Sequence, residues 1–343
     1  VELYTPITKW ADRLGPANLA EALGCSWQAA VQRRPGPIFW SFASADAERE
    51  MPPGAPPPEA WDDRSIESTG PMLGAAMIRI QAARRPLLVV GIGVARDGVD
   101  RELVALAEHL GCPVVVTQQV KGWFPEDHSL FAGTFGLYRD EPLCELMEEA
   151  DLIVAVGLDG ADFYKRWRAA TPVVSLADGE ADDATFQPTV ASDGDLAEQL
   201  RRARELTGRS DWPEDRATTA RRAIVEIIRP RGPHAPDGDG QRMPPQVAIS
   251  ELRRAFPRDG ILTVDVGSHK LVVVQQWRTS QPNSFICSNG LSPMGTGLPF
   301  AIGAQLERPD TPVACVLGDG GFLMYTGELE TVARLKLPIL LLL

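Results

Sequence analysis

Between Gly70 and Thr207 the chain alternates nearly continuous apolar runs with stretches of helical periodicity, and this alternation restricts the fold more than any other feature. Pro86-Leu-Leu-Val-Val-Gly91, Pro113-Val-Val-Val-Thr117, Asp151-Leu-Ile-Val-Ala-Val-Gly157 and Pro172-Val-Val-Ser-Leu176 are rich in β-branched residues and do not alternate polar with apolar positions. A strand apolar on both faces must be covered on both faces. Asp100 to Leu110 and Glu141 to Glu149 repeat apolar residues at the spacing of a helix. Strands and helices in that order predict an α/β fold of doubly wound parallel sheets.

The same pattern recurs on either side. Asn18 to Arg33 reads as a helix, Arg34-Pro-Gly-Pro37 breaks it, and Ile38 to Phe42 reads as a buried strand. Some forty residues are too few for a domain, so residues 1–44 read as the end of one. Residues 45–69 form a linker, with five prolines between Met51 and Pro58. Residues 70–207 form a central Rossmann-like domain, and 208–243 a helical and linker segment containing the Pro/Gly-rich run Arg229–Gly240. In the last block, 244–343, a helix is expected over Gln246–Phe256 and a strand over Gly260–Asp265. A second helix over Leu298–Leu306, a strand over Pro312–Leu317, a third helix over Phe322–Lys336 and a strand from Ile339 follow. The chain has no initiator Met and stops inside an apolar run, so it is expected to be a piece of a longer protein.

A net charge of -12 and a pI near 4.9 argue against a nucleic-acid or anionic-membrane surface. The arginine pairs at 33–34, 84–85, 201–202 and 221–222 stand beside acids and read as solvated helix faces. The five cysteines are widely spaced, with no metal-ligand spacing, and fit a reducing cytoplasm. The longest apolar run, Leu337–Leu343, is too short to cross a bilayer. His109 and His128 have no evident partner and read as structural or surface residues.

Three segments of the last block could carry chemistry. Gly318-Asp319-Gly320-Gly321 joins a buried strand to a helix. Backbone N–H groups in such a turn attract anions. An acid inside it would repel a phosphate unless a cation lay between, so the turn reads as a Mg2+-bridged diphosphate site with Asp319 as metal ligand. Asp-Gly is also an ordinary turn dipeptide. Asp265-Val-Gly267-Ser268-His269 follows a strand and would lie where open α/β sheets bind ligands, or be a plain strand-end turn. Ser288-Asn-Gly-Leu291-Ser-Pro-Met294-Gly-Thr-Gly-Leu-Pro299 has too much Gly and Pro for a regular element and is too apolar for a solvent loop, as where backbone approaches a ligand. Met294 could be core filler or a wedge under a flat ring. In the central domain Gly91-Ile-Gly93 resembles the start of a dinucleotide turn, but Arg96 stands where the third glycine belongs.

Together these segments, in this order and spacing, resemble the diphosphate-binding domain of thiamine-diphosphate enzymes. Acetolactate synthases and related 2-oxo acid decarboxylases are the nearest in pattern. Lys121-Gly-Trp-Phe-Pro-Glu-Asp-His128 with Gly133 resembles the middle domain of those synthases, and Arg34–Ile38 the end of their pyrimidine-binding domain. The resemblance implies that Asp319 binds Mg2+ and that Gly318, Gly320 and Gly321 give backbone to the diphosphate. Gly267, Ser268 and His269 would lie beside it. Met294 would prop the cofactor in a bent shape, with Leu291 and neighbouring backbone in the same binding set. The bend puts the cofactor's amine beside the thiazolium carbon that attacks a 2-oxo acid, and the ring then accepts the electrons released with CO2. The family's activating glutamate belongs to the pyrimidine domain, and its further metal-ligating asparagines lie about two dozen residues past Gly-Asp-Gly. No catalytic residue is therefore assigned in this chain, and the chain alone is expected to be inactive.

The resemblance also implies a small-molecule 2-oxo acid substrate, a homodimer or homotetramer, and a cytoplasmic protein without nucleic-acid or membrane partners. Some members hold FAD in the central domain. Where acetolactate synthases carry His-Gly after the segment matched at Gly133–Leu137, this chain has Tyr138-Arg-Asp-Glu-Pro142, which counts against FAD. Tyr325-Thr326 departs from the synthases too. A simple decarboxylase of the benzoylformate or phosphonopyruvate type, or a non-catalytic nucleotide-binding homologue, are the alternatives.

Overall fold

The computed structural model describes residues 1–15, 18–31, 35–49, 71–136, 138, 140–163, 166–167, 169–179, 186–229 and 243–343. Both expected linkers, apart from Arg229 and residues 45–49, lie outside them, as do Arg33, Arg34 and Leu137. The chain forms two compact units, Val1–Glu67 and Ser68–Leu343.

In the first unit β1 (Trp10–Leu14) and β2 (Ile38–Phe42) pair in parallel, Trp10 opposite Ile38, with α1 (Leu19–Val31) as the crossover and α2 (Ser44–Ala47) following. At the start of α1 the Asn18 carbonyl accepts the Ala22 N–H at 2.8 Å, while its Oδ1 accepts the Gly15 N–H at 2.8 Å from the preceding turn. The expected burial of Ile38–Phe42 is corrected: no residue of β2 is buried, and Trp40 and Phe42 are exposed even though Trp40 Nε1 donates to Ser26 of α1 at 3.1 Å.

The second unit opens with α3 (Pro71–Ala82), β3 (Pro86–Val90), α4 (Gly93–Asp97), α5 (Asp100–Leu110), β4 (Val114–Thr117) and β5 (Phe131–Phe135). It continues through α6 (Glu141–Glu149), β6 (Leu152–Val156), β7 (Val173–Ala177), β8 (Val190–Asp193), α7 (Leu196–Leu206) and α8 (Arg216–Ile228). The six strands are parallel in the order β5-β4-β3-β6-β7-β8, the doubly wound arrangement, which reverses direction between β3 and β6. Every residue of β3, β4, β5, β6 and β7 is buried, as their unbroken apolar runs require. Gly111 ends α5 in the left-handed region at φ 61°, where a side chain would be strained.

Then come α9 (Pro245–Ala255), β9 (Ile261–Val264), α10 (Ser268–Gln276), β10 (Phe285–Cys287), α11 (Gly297–Glu307), β11 (Val313–Val316), α12 (Asp319–Met324), α13 (Glu328–Arg334) and β12 (Ile339–Leu342). These four strands are also parallel, ordered β10-β9-β11-β12, with the reversal between β9 and β11. The single helix expected over Phe322–Lys336 is two, α12 and α13, separated by Tyr325-Thr326-Gly327. Gly327 disfavours helix by about 1 kcal/mol, and the Tyr325 ring leaves the helix to pack on Gly295. No helix among the described residues is long and apolar enough to cross a membrane.

A buried joint ties the two sheets. Lys121 Nζ bonds Glu126 Oε1 at 2.6 Å, and both side chains are buried. Glu126 Oε2 accepts the Thr279 N–H at 3.2 Å, while the Glu126 N–H donates to Thr279 O at 3.1 Å. Burial pushes the Glu126 carboxyl up in pKa, against the pull of Lys121. Two expectations about histidine are corrected: His128 bonds Glu108 and the Leu130 N–H, and His109 contacts Thr207 O at 2.7 Å. Of the cysteines, Cys112 and Cys315 are buried, while Cys25 and Cys144 are exposed.

Candidate functional site

The crevice between the C-terminal ends of β9 and β11 is built around Asp265, a buried residue on which the sequence reading placed no role. The Gly295 N–H donates to both of its carboxylate oxygens at 2.9 Å, and the Gly297 N–H to Oδ1 at 3.4 Å. One acid at the end of β9 thus fixes the Gly-rich segment that enters α11. Gly321, in the first turn of α12, presses on the same carboxylate: a Cβ there would stand 1.9 Å from Asp265 Oδ2. Gly295 sits at φ +88°, and a Cβ on it would meet the Tyr325 ring at 2.2 Å. These glycines are required by close approach, not by turn geometry alone.

Around that knot the structure gathers most of the expected residues. The His269 ring packs against Gly267 and lies near Gly318, which a Cβ would bring within 3.6 Å of the ring. Met294 reaches Gly320, whose Cβ would stand 3.2 Å from the Met methyl. Asp319 is exposed at the start of α12; its Oδ1 accepts the Gly320 N–H at 2.8 Å, and its other oxygen has no protein partner among the described residues. Ser268 opens α10 and is exposed. Leu291 is fully exposed on the loop before Met294 and stays outside the cluster. That loop is anchored at both flanks. Lys270 Nζ donates to Ser288 O at 2.5 Å, and Asn289 bonds Gln118 at 2.6 Å and Ala161 O at 2.7 Å.

With Asp319 exposed in the crevice, an anionic group fits it only with a cation between the two. Burial lowers the His269 pKa, opposed by Asp265, which favours the neutral ring. Its Nε2 is buried with no partner among the described residues. A buried, unsatisfied ring nitrogen costs about 1–3 kcal/mol, which a bound polar group would relieve. Gly318 and Gly320 are part-exposed beside Asp319 while Gly321 is buried, and Met294 is exposed next to Gly320, as a prop for a ring requires. These residues fit a diphosphate-bearing cofactor. Among the described residues no group of three His, Cys, Asp or Glu could hold a metal, so Asp319 stands as a single carboxylate.

The central sheet's own reversal point does not fit a nucleotide. The Ile92 N–H of Gly91-Ile-Gly93 donates to Asp162 Oδ2 at 3.1 Å, and a Cβ on Gly91 would stand 2.3 Å from that oxygen. Asp162 also accepts Thr117 Oγ1 at 2.6 Å and the Asp159 N–H at 3.0 Å. A protein carboxylate fills the place where a dinucleotide pyrophosphate would sit on that turn. Gly93 is explained separately, since a Cβ there would meet Gly157 Cα at 2.7 Å.

Comparison with known proteins agrees with the crevice. Residues 73–202 match the family model for the thiamine pyrophosphate enzyme central domain, and residues 265–343 that for the C-terminal TPP binding domain. The chain is 31% identical to the acetolactate synthase large subunit of Parasynechococcus marenigrum over 97% of its length and 55% of the relative's. It is 28% identical to acetolactate synthase of Bacillus subtilis, over 98% of this chain and 60% of that one. A crystal structure of a Mycobacterium smegmatis protein assigned as thiamin diphosphate-dependent superposes with a TM-score of 0.75 at 25% identity, covering 99% of this chain and 65% of that one. The chain thus spans 55–60% of the length of these curated relatives.

Proposed function

We propose, because the chain belongs to the thiamine pyrophosphate enzyme family, that the β9/β11 crevice holds thiamine diphosphate through Mg2+ and serves 2-oxo acid decarboxylation with carboligation, as in acetolactate synthase. The observation that carries this reading is the Asp265 knot. One buried carboxylate draws the Met294-Gly295 turn and the Gly320-Gly321 turn together, so that a prop and an anion cradle face the same crevice. Bound there, the cofactor's thiazolium ring would supply an electron sink for the pair released with CO2.

Each nearby residue then has a task. Asp319 would offer its unpartnered oxygen to Mg2+, a hard cation that prefers such ligands. Gly318, Gly320 and Gly321 offer backbone, and Gly267, Ser268 and His269 flank the diphosphate. With its other ring nitrogen donating to the Asp265 backbone, neutral His269 can accept one hydrogen bond through Nε2 without adding charge. Met294 would support the ring, while Leu291 is fully exposed on the same loop. No FAD step is assigned, because Asp162 occupies the Gly91-Ile-Gly93 turn. The substrate class, pyruvate or a related 2-oxo acid, rests on the relatives' names. So does an oligomeric assembly, since several are large subunits.

Product analysis separates a carboligase from a simple decarboxylase. With pyruvate, the full-length protein is expected to yield acetolactate; free aldehyde as the sole product would replace this reading with the decarboxylase one. This chain assayed alone is expected to show no turnover, and measurable turnover would refute that.

A further inference from the structure

At the end of β9 opposite Asp265 lies an open cavity of about 390 Å3 lined by Arg253, Arg254, Arg258 and Arg278, with Asp127 and Phe256. In a chain of net charge -12 this gathering of arginine is unexpected. The four come from separate places: Arg253 and Arg254 from the last turn of α9, Arg258 from the turn before β9, and Arg278 just past α10. Asp127 directly follows Glu126 of the joint with the central sheet.

Their charges are only half matched. Arg258 pairs with Asp127 at 2.8 Å, and Arg254 pairs with Glu251 on its own helix. Arg253 has no carboxylate. Its Nη2 donates to the carbonyls of Phe256 and Pro257 at 3.0 and 2.9 Å, and its guanidinium lies 4.5 Å over the Trp277 ring. Arg278 makes no hydrogen bond or ion pair among the described residues. Burial, and then Arg258 beside it, lower the Arg253 pKa, so the charged form is held at a cost. Arg253 is pinned in one orientation, and a pinned guanidinium recognises an oxyanion with little further loss of side-chain entropy.

We propose that this cavity binds a small polyanion, a molecule carrying two or more phosphate or carboxylate groups, at the seam between the two sheets. The volume lies within the range of small-ligand clefts, about 300–1,000 Å3. Arg253 and Arg278 have no ion-pair partner among the described residues, although Arg278 lies within electrostatic reach of buried Glu126, and these two guanidinium groups set the minimum charge of the guest. The site is separate from the cofactor crevice, though α10 spans the two: Ser268 begins it at the crevice, and Arg278 follows its other end at the cavity.

The test is titration calorimetry on this chain, stripped of metal beforehand on chelating resin, at low ionic strength, using inorganic pyrophosphate in one arm and citrate in the other. At least one is expected to bind one to one, and the tighter arm names the source of the charge. Arg278→Ala is expected to weaken that binding at least tenfold, while Arg278→Lys, which keeps the charge but loses the fork, retains part of it. Arg278 is exposed, so the variants should melt like the wild type. The proposal is overturned if neither anion binds, or if Arg278→Ala binds as tightly as the wild type.

Discussion

Asp265 and Gly321 meet so closely that each restricts the other. Gly321→Ala forces a methyl group onto a buried carboxylate, and overpacking of this kind costs about 1–3 kcal/mol. The variant is expected to lose cofactor affinity by tenfold or more in calorimetry and to melt earlier in a thermal scan. Asp265→Ala leaves the Gly295 and Gly297 N–H groups buried without acceptors, at about 1–3 kcal/mol each. In urea titration Asp265→Asn, which keeps an acceptor, should fall between that variant and the wild type. Asp162 makes a prediction about pH. Burial raises its pKa to about 6 from 3.8, in spite of its three hydrogen bonds. The folded state therefore takes up a proton between those values, and stability falls as pH rises through that window and is level above it. A shift of this size corresponds to about 3 kcal/mol at most. Asp162→Asn can keep all three partners, with Thr117 turning to accept, and has nothing to titrate. Urea titrations at pH 4.5 and 7 should show the wild type losing stability relative to Asp162→Asn; parallel behaviour would mean that Asp162 ionises freely in the fold. Asp97, whose pKa is also raised to about 6, is common to both proteins and cancels from the difference.

Elements were legible in the sequence where their burial is uniform. β3, β4, β6 and β7 are apolar on both faces, and nothing but a strand covered on both sides satisfies such runs. β5 and β8 left weaker signals: Gly133 at φ 153° interrupts the first, and the second is four residues with alternating burial and two polar side chains. The break between α12 and α13 was hidden because its cause, the Tyr325 ring against Gly295, lies 30 residues away along the chain. The candidate site was legible in its glycines and in Asp319, whose residue types already state a local requirement. Asp265 was not, since an acid after a strand reads as a turn until its acceptors are seen to bind another loop. The same holds for the joint at Lys121 and Glu126. Lys121→Met would leave Glu126 buried without its counter-charge, at about 3–5 kcal/mol. Urea denaturation should show that loss; a change below about 1 kcal/mol, as for an exposed pair, would contradict a buried joint.

At the scale of the whole molecule, two parallel sheets each reverse strand order, and the two reversal points have opposite fates. The central one is filled by Asp162, a carboxylate of the protein itself. The C-terminal one has no such carboxylate across its mouth: Asp319 is exposed, His269 Nε2 is unsatisfied among the described residues, and Gly318 and Gly320 are part-exposed. The account's central claim is that the C-terminal one is a Mg2+-dependent thiamine diphosphate site with Asp319 as a metal ligand. It is tested most directly by titrating thiamine diphosphate into the protein with Mg2+ and with EDTA, for the wild type and Asp319→Ala. The account predicts that Mg2+ tightens binding to the wild type at least tenfold and does little for Asp319→Ala. Equal affinity in Mg2+ and EDTA, or an equal Mg2+ effect in both proteins, would contradict it.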